Sequence, residues 1–151
     1  MCGFGGYFGH APDAEHLLRA MARALQHRGP DENGILAGGE AGLAHARLAV
    51  VGLHDGRQPM RDGSGDLAVA FNGEIFNHVE LREELQARGR RFRTASDTEV
   101  ILHLYDEMGE ECVTRLNGDF AFALWDARRQ RMVLARDRMG VRPLFYTRHA
   151  G

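Results

Sequence analysis

At 151 residues the chain has the length of a single domain, able to bury roughly 68 to 70% of the surface its unfolded form exposes, so it needs no disulfide or metal to fold. Its 19 basic residues are all arginine and nearly balance 21 acidic ones, and the net charge of -2 gives no electrostatic footprint for nucleic acid or a membrane surface. The absence of lysine excludes a phosphate-loop lysine and a lysine Schiff base, and two cysteines, Cys2 and Cys112, make neither a disulfide framework nor a cysteine metal site.

The N-terminus lacks the basic-then-apolar run of a signal peptide, and no apolar segment reaches the length of a membrane span, which predicts a cytoplasmic protein. Phe4 to Phe8, aromatic and glycine-rich, reads as a strand directly after Cys2. Pro12 and Asp13 open a helix with Leu17, Leu18, Met21, Ala22 and Leu25 on one face, and Arg28-Gly29-Pro30 stops it. Apolar segments around Gly34 to Ala37 and Gly42 to Val51 read as strands, and a polar glycine-rich loop from Asp62 to Asp66 leads into a further strand, Leu67 to Phe71. Asn77 to Arg88 reads as a helix capped by Asn77, with Glu80 three residues on and Gly89 as its stop. Ser96-Asp97-Thr98-Glu99 has the pattern of a capping box ahead of a second helix carrying Val100, Ile101, Leu104, Tyr105 and Met108. A short amphipathic piece, Glu110 to Leu116, places Cys112 with Val113 and Leu116 on its inner side. Beyond Asn117-Gly118, Phe120 to Asp126 and Met132 to Ala135 form a hairpin, and Leu144 to Tyr146 reads as a last strand.

Strand runs, two consecutive helices and then a hairpin do not alternate as βαβ units do, so the expected class is α+β with a largely antiparallel sheet. Phe120 to Trp125 is apolar on both sides, and a strand buried on both faces lies between other layers, which favours a layered sandwich.

Several polar residues stand in apolar surroundings. Cys2 becomes the first residue once Met1 is trimmed, and a free α-amine and a thiol titrate close enough together to exchange a proton at little cost, the logic of an amine-assisted N-terminal nucleophile. Its other reading is a small residue near a terminus. Asn72-Gly73-Glu74 follows a strand and offers an amide side chain and an unhindered glycine N–H, the donors an oxyanion hole requires, but Asn-Gly is also the strongest short hairpin signal. Arg47 interrupts an apolar run, where its fork could grip a carboxylate in bidentate fashion or pair with a local acid. Asp97 sits in the first turn of its helix, where the dipole alone favours a carboxylate unless a substrate ammonium lies nearby. The eight histidines show no metalloprotease-type spacing and no metal site is expected, while the four arginines between Arg88 and Arg93 read as a solvated loop.

Cys2-Gly3, His27-Arg28-Gly29-Pro30-Asp31, Arg47-Leu48, Phe71 to Asn77, Ser96 to Glu99, Phe120 to Ala123 and Arg136 to Gly140 together, in order and over nearly the whole chain, resemble the class II glutamine amidotransferases, specifically the glutaminase domain of asparagine synthetase-like enzymes. The resemblance implies the N-terminal nucleophile hydrolase fold, a four-layer αββα sandwich with two antiparallel sheets. It implies Cys2 as nucleophile with its freed amine as base, the Asn72 side chain and Gly73 N–H as oxyanion hole, Arg47 on the α-carboxylate of L-glutamine, and Asp97 and Glu74 on its α-ammonium. The loop from His27 to Asp31 would shape the site without doing chemistry. No cofactor is implied for this chain; ATP and Mg belong to the synthetase domain, a partner in cis or in trans, and the resemblance leaves room for a homodimer.

Phe stands at positions 71 and 76 where the family often has tyrosine, and Ala49 where serine is common. Family members usually continue past Leu144 to Tyr146 into another strand and helix and then a synthetase domain, so the chain is expected to be a glutaminase domain over 1–151, incomplete at its C-terminus, with an unpaired sheet edge. The alternatives are a catalytically silent interaction module that keeps the fold, and the glutaminase domain of a related amidotransferase with another ammonia acceptor.

Overall fold

The structure, a computed structural model, describes residues 1–49 and 55–148. Seven strands and three helices follow in order: β1 (Gly3–Phe8), α1 (Ala14–Ala24), β2 (Glu32–Ala37), β3 (Ala41–Arg47), β4 (Met60–Arg61), β5 (Leu67–Ile75), α2 (His78–Ala87), α3 (Thr98–Met108), a 3-10 turn (Gly109–Thr114), β6 (Gly118–Asp126) and β7 (Arg131–Arg136). They build two antiparallel sheets, ordered β1-β3-β2 and β4-β5-β6-β7. α1 lies across the first sheet, α3 packs on β5 with α2 beside it, and β1 and β3 face β5, so the order of layers is helix, sheet, sheet, helices. This is the expected α+β sandwich of four layers, and β6 is buried on both faces.

The period of two along each strand decides what fills each layer. On β3, Ala44 packs against Leu18 and Ala22 of α1, while Ala41 and Leu43 face the other sheet. There they meet Ala68 and Ala70 of β5 and Ala123 and Trp125 of β6, a layer rich in alanine that lets the sheets approach closely. The opposite face of β5 and β6, with Leu67, Val69, Phe71, Ile75, Phe122 and Leu124, builds the main core with Leu81, Leu85, Ile101, Leu104 and Tyr105 of the helices. Cys112 belongs to this core, and burial pushes its thiol up to about 12, so it stays protonated.

Six local expectations change. Asn72-Gly73 is not a turn: it lies inside β5, paired with Ala121 and Phe120 of β6. Asn77 does not cap α2; its side chain accepts the Asn117 N–H at 2.9 Å and donates to the Arg115 carbonyl at 3.0 Å, tying the helix start to the entry of β6. Ser96 to Glu99 is not a capping box either, because Glu99 reaches the N–H groups of Arg93 and Thr94 while Ser96 Oγ accepts the Thr98 N–H. Leu144 to Tyr146 forms no strand; nothing pairs with it among the described residues, and Phe145 and Tyr146 are 89% and 77% exposed. β7 is the free edge of its sheet. The strand expected to run to Val51 ends at Arg47, and residues 50–54 lie outside the described ones. Arg90 leaves the solvated-loop reading by pairing with Asp106 and Glu107.

Candidate functional site

Cys2, Arg47, Asn72, Gly73, Glu74 and Asp97, six residues from four parts of the chain, line one cavity of about 240 Å³. Met1, Leu48, Gln58 and Arg142 complete much of its wall.

The geometry follows from how β4 ends. In an antiparallel ladder, alternate residues turn their N–H and C=O toward one neighbouring strand or the other. Phe120 directs its C=O to the Asp137 N–H and its N–H to the Asp137 carboxylate, so its partner Gly73 is not bonded to it and faces the opposite edge of β5. β4 would cover that edge, but it has only two residues and stops opposite Val69. Beyond it the outward N–H groups need other partners. That of Phe71 goes to Gln58 Oε1 at 2.6 Å and that of Ile75 to Asp97 Oδ2 at 3.0 Å. The Gly73 N–H between them opens on the cavity. Its φ of +147° suits glycine, and a Cβ there would run into the Asp119 carbonyl oxygen. Asn72 continues the face of β5 that carries Ala68 and Ala70, and no described residue hydrogen-bonds its side chain.

Cys2 stands on the other sheet, just before β1. Its Sγ accepts the Leu48 N–H at 3.3 Å and lies 3.4 Å from the Leu48 carbonyl, which can take the thiol proton. The loop after α1 fixes this arrangement. Gly29 packs so closely on Ala46 that a side chain would collide with its carbonyl, Arg28 Nε donates to the Cys2 carbonyl at 3.0 Å, and Asp31 accepts the Ala49 N–H at 2.9 Å. The expected shaping role of His27 to Asp31 thus resolves into named bonds on both the cysteine and the end of β3. With Met1 present, the nitrogen of Cys2 is an amide, and the Met1 sulfur touches Arg142.

The charges are distributed unevenly. Arg47 is buried and pairs with Glu32, its register partner on β2, at 3.4 Å; Glu32 also meets Arg57 at 3.1 Å. The local-acid reading therefore holds, and Arg47 still lines the cavity. Asp97 is buried at the start of α3, and burial raises its carboxyl despite the Ile75 N–H. Its role exceeds that of a helix-dipole partner, since it bonds β5 directly. Glu74 is exposed at the rim.

Sequence reasoning passed over Gln58 and Arg142. Arg142 forks onto Asp119 at 3.0 and 3.1 Å and is held by Asp137, whose carboxylate accepts the N–H groups of Val141 and Arg142. Burial pushes the Asp137 carboxyl up, but these backbone donors outweigh it and leave it below the usual range. The segment from Arg136 to Gly140 pointed at this loop without singling out Arg142, one arginine among 19 basic residues. Among the described residues no cluster of His, Cys, Asp and Glu could hold a metal ion, and no helix is long and apolar enough to cross a membrane.

A cysteine next to the terminus of one sheet thus shares a cavity with the glycine N–H edge and the amide side chain of a strand on the other, on an N-terminal nucleophile hydrolase fold. Comparison with known proteins narrows it. The sequence matches the profile of the glutamine amidotransferase domain over residues 1–151, and the chain belongs to that family. It is 44% identical over 153 residues to asparagine synthetase [glutamine-hydrolyzing] 3 of Bacillus subtilis, covering 98% of this chain and 25% of that protein. It is 42% identical over 153 residues to a probable asparagine synthetase [glutamine-hydrolyzing] of Dictyostelium discoideum, covering 99% of this chain and 28% of that protein. Among solved structures, the glutamine phosphoribosylpyrophosphate amidotransferase of B. subtilis, complexed with ADP and GMP, superposes with a TM-score of 0.75 at 26% identity, over 95% of this chain and 38% of that one. The chain thus spans about a quarter of the length of its asparagine synthetase relatives.

Proposed function

We propose that this domain hydrolyses the side-chain amide of L-glutamine and supplies the ammonia to an asparagine synthetase-type amidation of a carboxylate such as aspartate. The observation that carries this reading is the open Gly73 N–H, left between two filled neighbours on β5 and sharing one cavity with Cys2.

With Met1 removed, the freed amine of Cys2 takes the thiol proton, and the Leu48 N–H supports the resulting thiolate. The sulfur attacks the amide carbon of glutamine. Asn72 and the Gly73 N–H donate to the oxygen that becomes negative. The C–N bond breaks, the ammonium of Cys2 returns its proton to the departing nitrogen, and ammonia leaves a γ-glutamyl thioester. Water, activated by the same amine, releases glutamate and the thiol. Arg47 pairs with the α-carboxylate of the substrate, and Asp97 and Glu74 with its α-ammonium. ATP, Mg and the acceptor would belong to a synthetase domain, in keeping with relatives that are glutamine-hydrolysing asparagine synthetases.

The test uses protein whose N-terminal sequence begins at Cys2. It should convert glutamine to glutamate, and an electrophilic glutamine analogue should label residue 2 while leaving the buried Cys112 untouched. Cys2→Ala should fold and hydrolyse no glutamine. Turnover surviving in that variant would refute the nucleophile, and a processed wild type with neither turnover nor label would return the fold to a catalytically silent interaction module.

A further inference from the structure

β3 and β5 belong to different sheets, and among the described residues one hydrogen bond joins a strand of the first sheet to a strand of the second. His45 Nε2 lies 2.8 Å from the Phe71 carbonyl oxygen. His45 is 0% exposed, and its Nδ1 has no partner. A carbonyl only accepts, so Nε2 carries the proton and Nδ1 is a bare lone pair. The charged neighbour is Arg47, two residues along β3 on the same face. A protonated ring would place a second cation there in an apolar gap. Burial, with Arg47, accordingly lowers the ring to about 4, so it is a neutral donor and has no part in moving the thiol's proton.

Phe71 is the residue before Asn72, and its peptide groups are fixed from two directions. Gln58 takes its N–H and His45 holds its C=O, while Asp97 secures Ile75 at the far end. The stretch between these bonds is Asn72 to Glu74. The sheet that carries Cys2 therefore sets, through one imidazole, the position of the strand that carries the two proposed oxyanion donors.

We propose that His45 is a positioning residue, whose Nε2–H on the Phe71 carbonyl fixes Asn72 and the Gly73 N–H at the distance from Cys2 that the tetrahedral oxyanion requires. This rests on the glutaminase reading above. Donors displaced by about 1 Å cost on the order of 10²-fold in rate, and the loss falls on the chemical step because the amino-acid end of the substrate is held elsewhere.

The experiment compares His45→Leu and His45→Gln in the whole protein with Cys2 as its first residue. Leucine fills the space without a donor, whereas the glutamine amide can reach the carbonyl. His45→Leu should lower kcat on the order of 10²-fold with KM within about twofold, and His45→Gln should recover most of the loss. Selective ¹⁵N labelling of glycine and histidine supplies a readout independent of turnover: the Gly73 amide resonance should move in His45→Leu, and the wild-type ring should show the neutral Nε2–H tautomer down to about pH 5, above its own titration. An unchanged kcat, a loss shared equally by His45→Gln, an unmoved Gly73 resonance or an Nδ1–H tautomer overturns the proposal. If His45→Leu does not fold, His45→Gln and the wild-type tautomer still decide it. A wild type that turns over no glutamine but shows the Nε2–H tautomer, with the Gly73 amide moved in His45→Leu, would break the functional reading and leave the positioning bond standing.

Discussion

The layer between the two sheets has two ends, built from the same strands and filled by opposite chemistry. At one end Ala41 and Leu43 of β3 meet Ala68 and Ala70 of β5, with Ala123 and Trp125 of β6. At the other, β3 presents His45 and Arg47, and β5 presents Asn72, all buried. The side-chain period and pairing do not change along the way; what changes is the cover on the edge of β5. Opposite Ala68 and Val69 the edge is paired with β4, and past it single side chains take over from Gln58 and Asp97. A buried polar end is costly unless its groups are bonded, and most of them are. The site is thus made by ending a strand early, and its rigidity comes from the apolar end of the same ladder.

The sharpest way to break the comparison is to remove one polar group and one apolar group from the two ends of that layer. Asn72→Ala should lower kcat by about 10²- to 10³-fold, or roughly 2.7 to 4 kcal/mol of transition-state stabilisation, with little change in KM and little in stability. Kinetics per folded molecule measure it, and a fall below about tenfold would deny Asn72 an oxyanion role. Leu43→Ala, at 0% exposure in the apolar end, should do the converse: about 3 kcal/mol lost in denaturant unfolding, with kcat per folded molecule nearly intact. If Leu43→Ala lowered kcat as strongly as Asn72→Ala, the two ends would not be separable in function.

The same contrast explains what could be read without coordinates. β1, α1, α3 and the β6–β7 hairpin announce themselves by local period and by glycine stops, and their burial follows. The polar end was legible only through resemblance. Asn72-Gly73 carries the local signal of a hairpin, and only the nine-residue pairing of β5 with β6 overrides it. β4 is too short to leave a pattern, although its early end opens the site. Ser96 to Glu99 matched a capping box by spacing alone, whereas the bonds of Glu99 and Asp97 run to Arg93, Thr94 and Ile75. Gln58, Arg142 and His45 act through partners far away in sequence, which no window of neighbouring residues contains.

Arg47 tests the charge of the polar end. Arg47→Lys keeps the charge but loses the fork, so it should raise KM for glutamine roughly tenfold, as expected for one charge-assisted hydrogen bond of about 1.5 kcal/mol, and leave kcat within a few-fold. Steady-state kinetics with glutamine, and with an amide lacking the α-carboxylate, check the assignment: the truncated amide should not distinguish wild type from variant. Because Arg47 also pairs with Glu32, the melting temperature of the variant should be measured beside KM. An unchanged KM would assign Arg47 to that structural pair alone.

The last effect expected is the dependence of stability on pH at the polar end. The ring of His45 titrates at about 4 in the fold against 6.5 when unfolded, so between those values the unfolded chain holds the extra proton. Stability from this group is complete above about 6.5 and is lost as pH falls toward 4, with a slope of up to about 1.4 kcal/mol per pH unit. Asp97 contributes with the opposite sign, because burial raises its carboxyl and the folded form binds its proton more readily. Glu99, which burial alone would raise, is lowered to about 2 by the nearby His103 ring at 3.6 Å and its bonds to Thr94 and the Arg93 N–H, and loses stability as pH falls below 4.5. The total curve mixes these groups. Subtracting the curve of His45→Gln, which titrates nowhere in the window, from that of the wild type isolates the imidazole. The difference should be flat above about pH 6.5 and slope only below it; a difference that is flat throughout would mean that His45 titrates alike folded and unfolded, against a ring sealed between the two sheets.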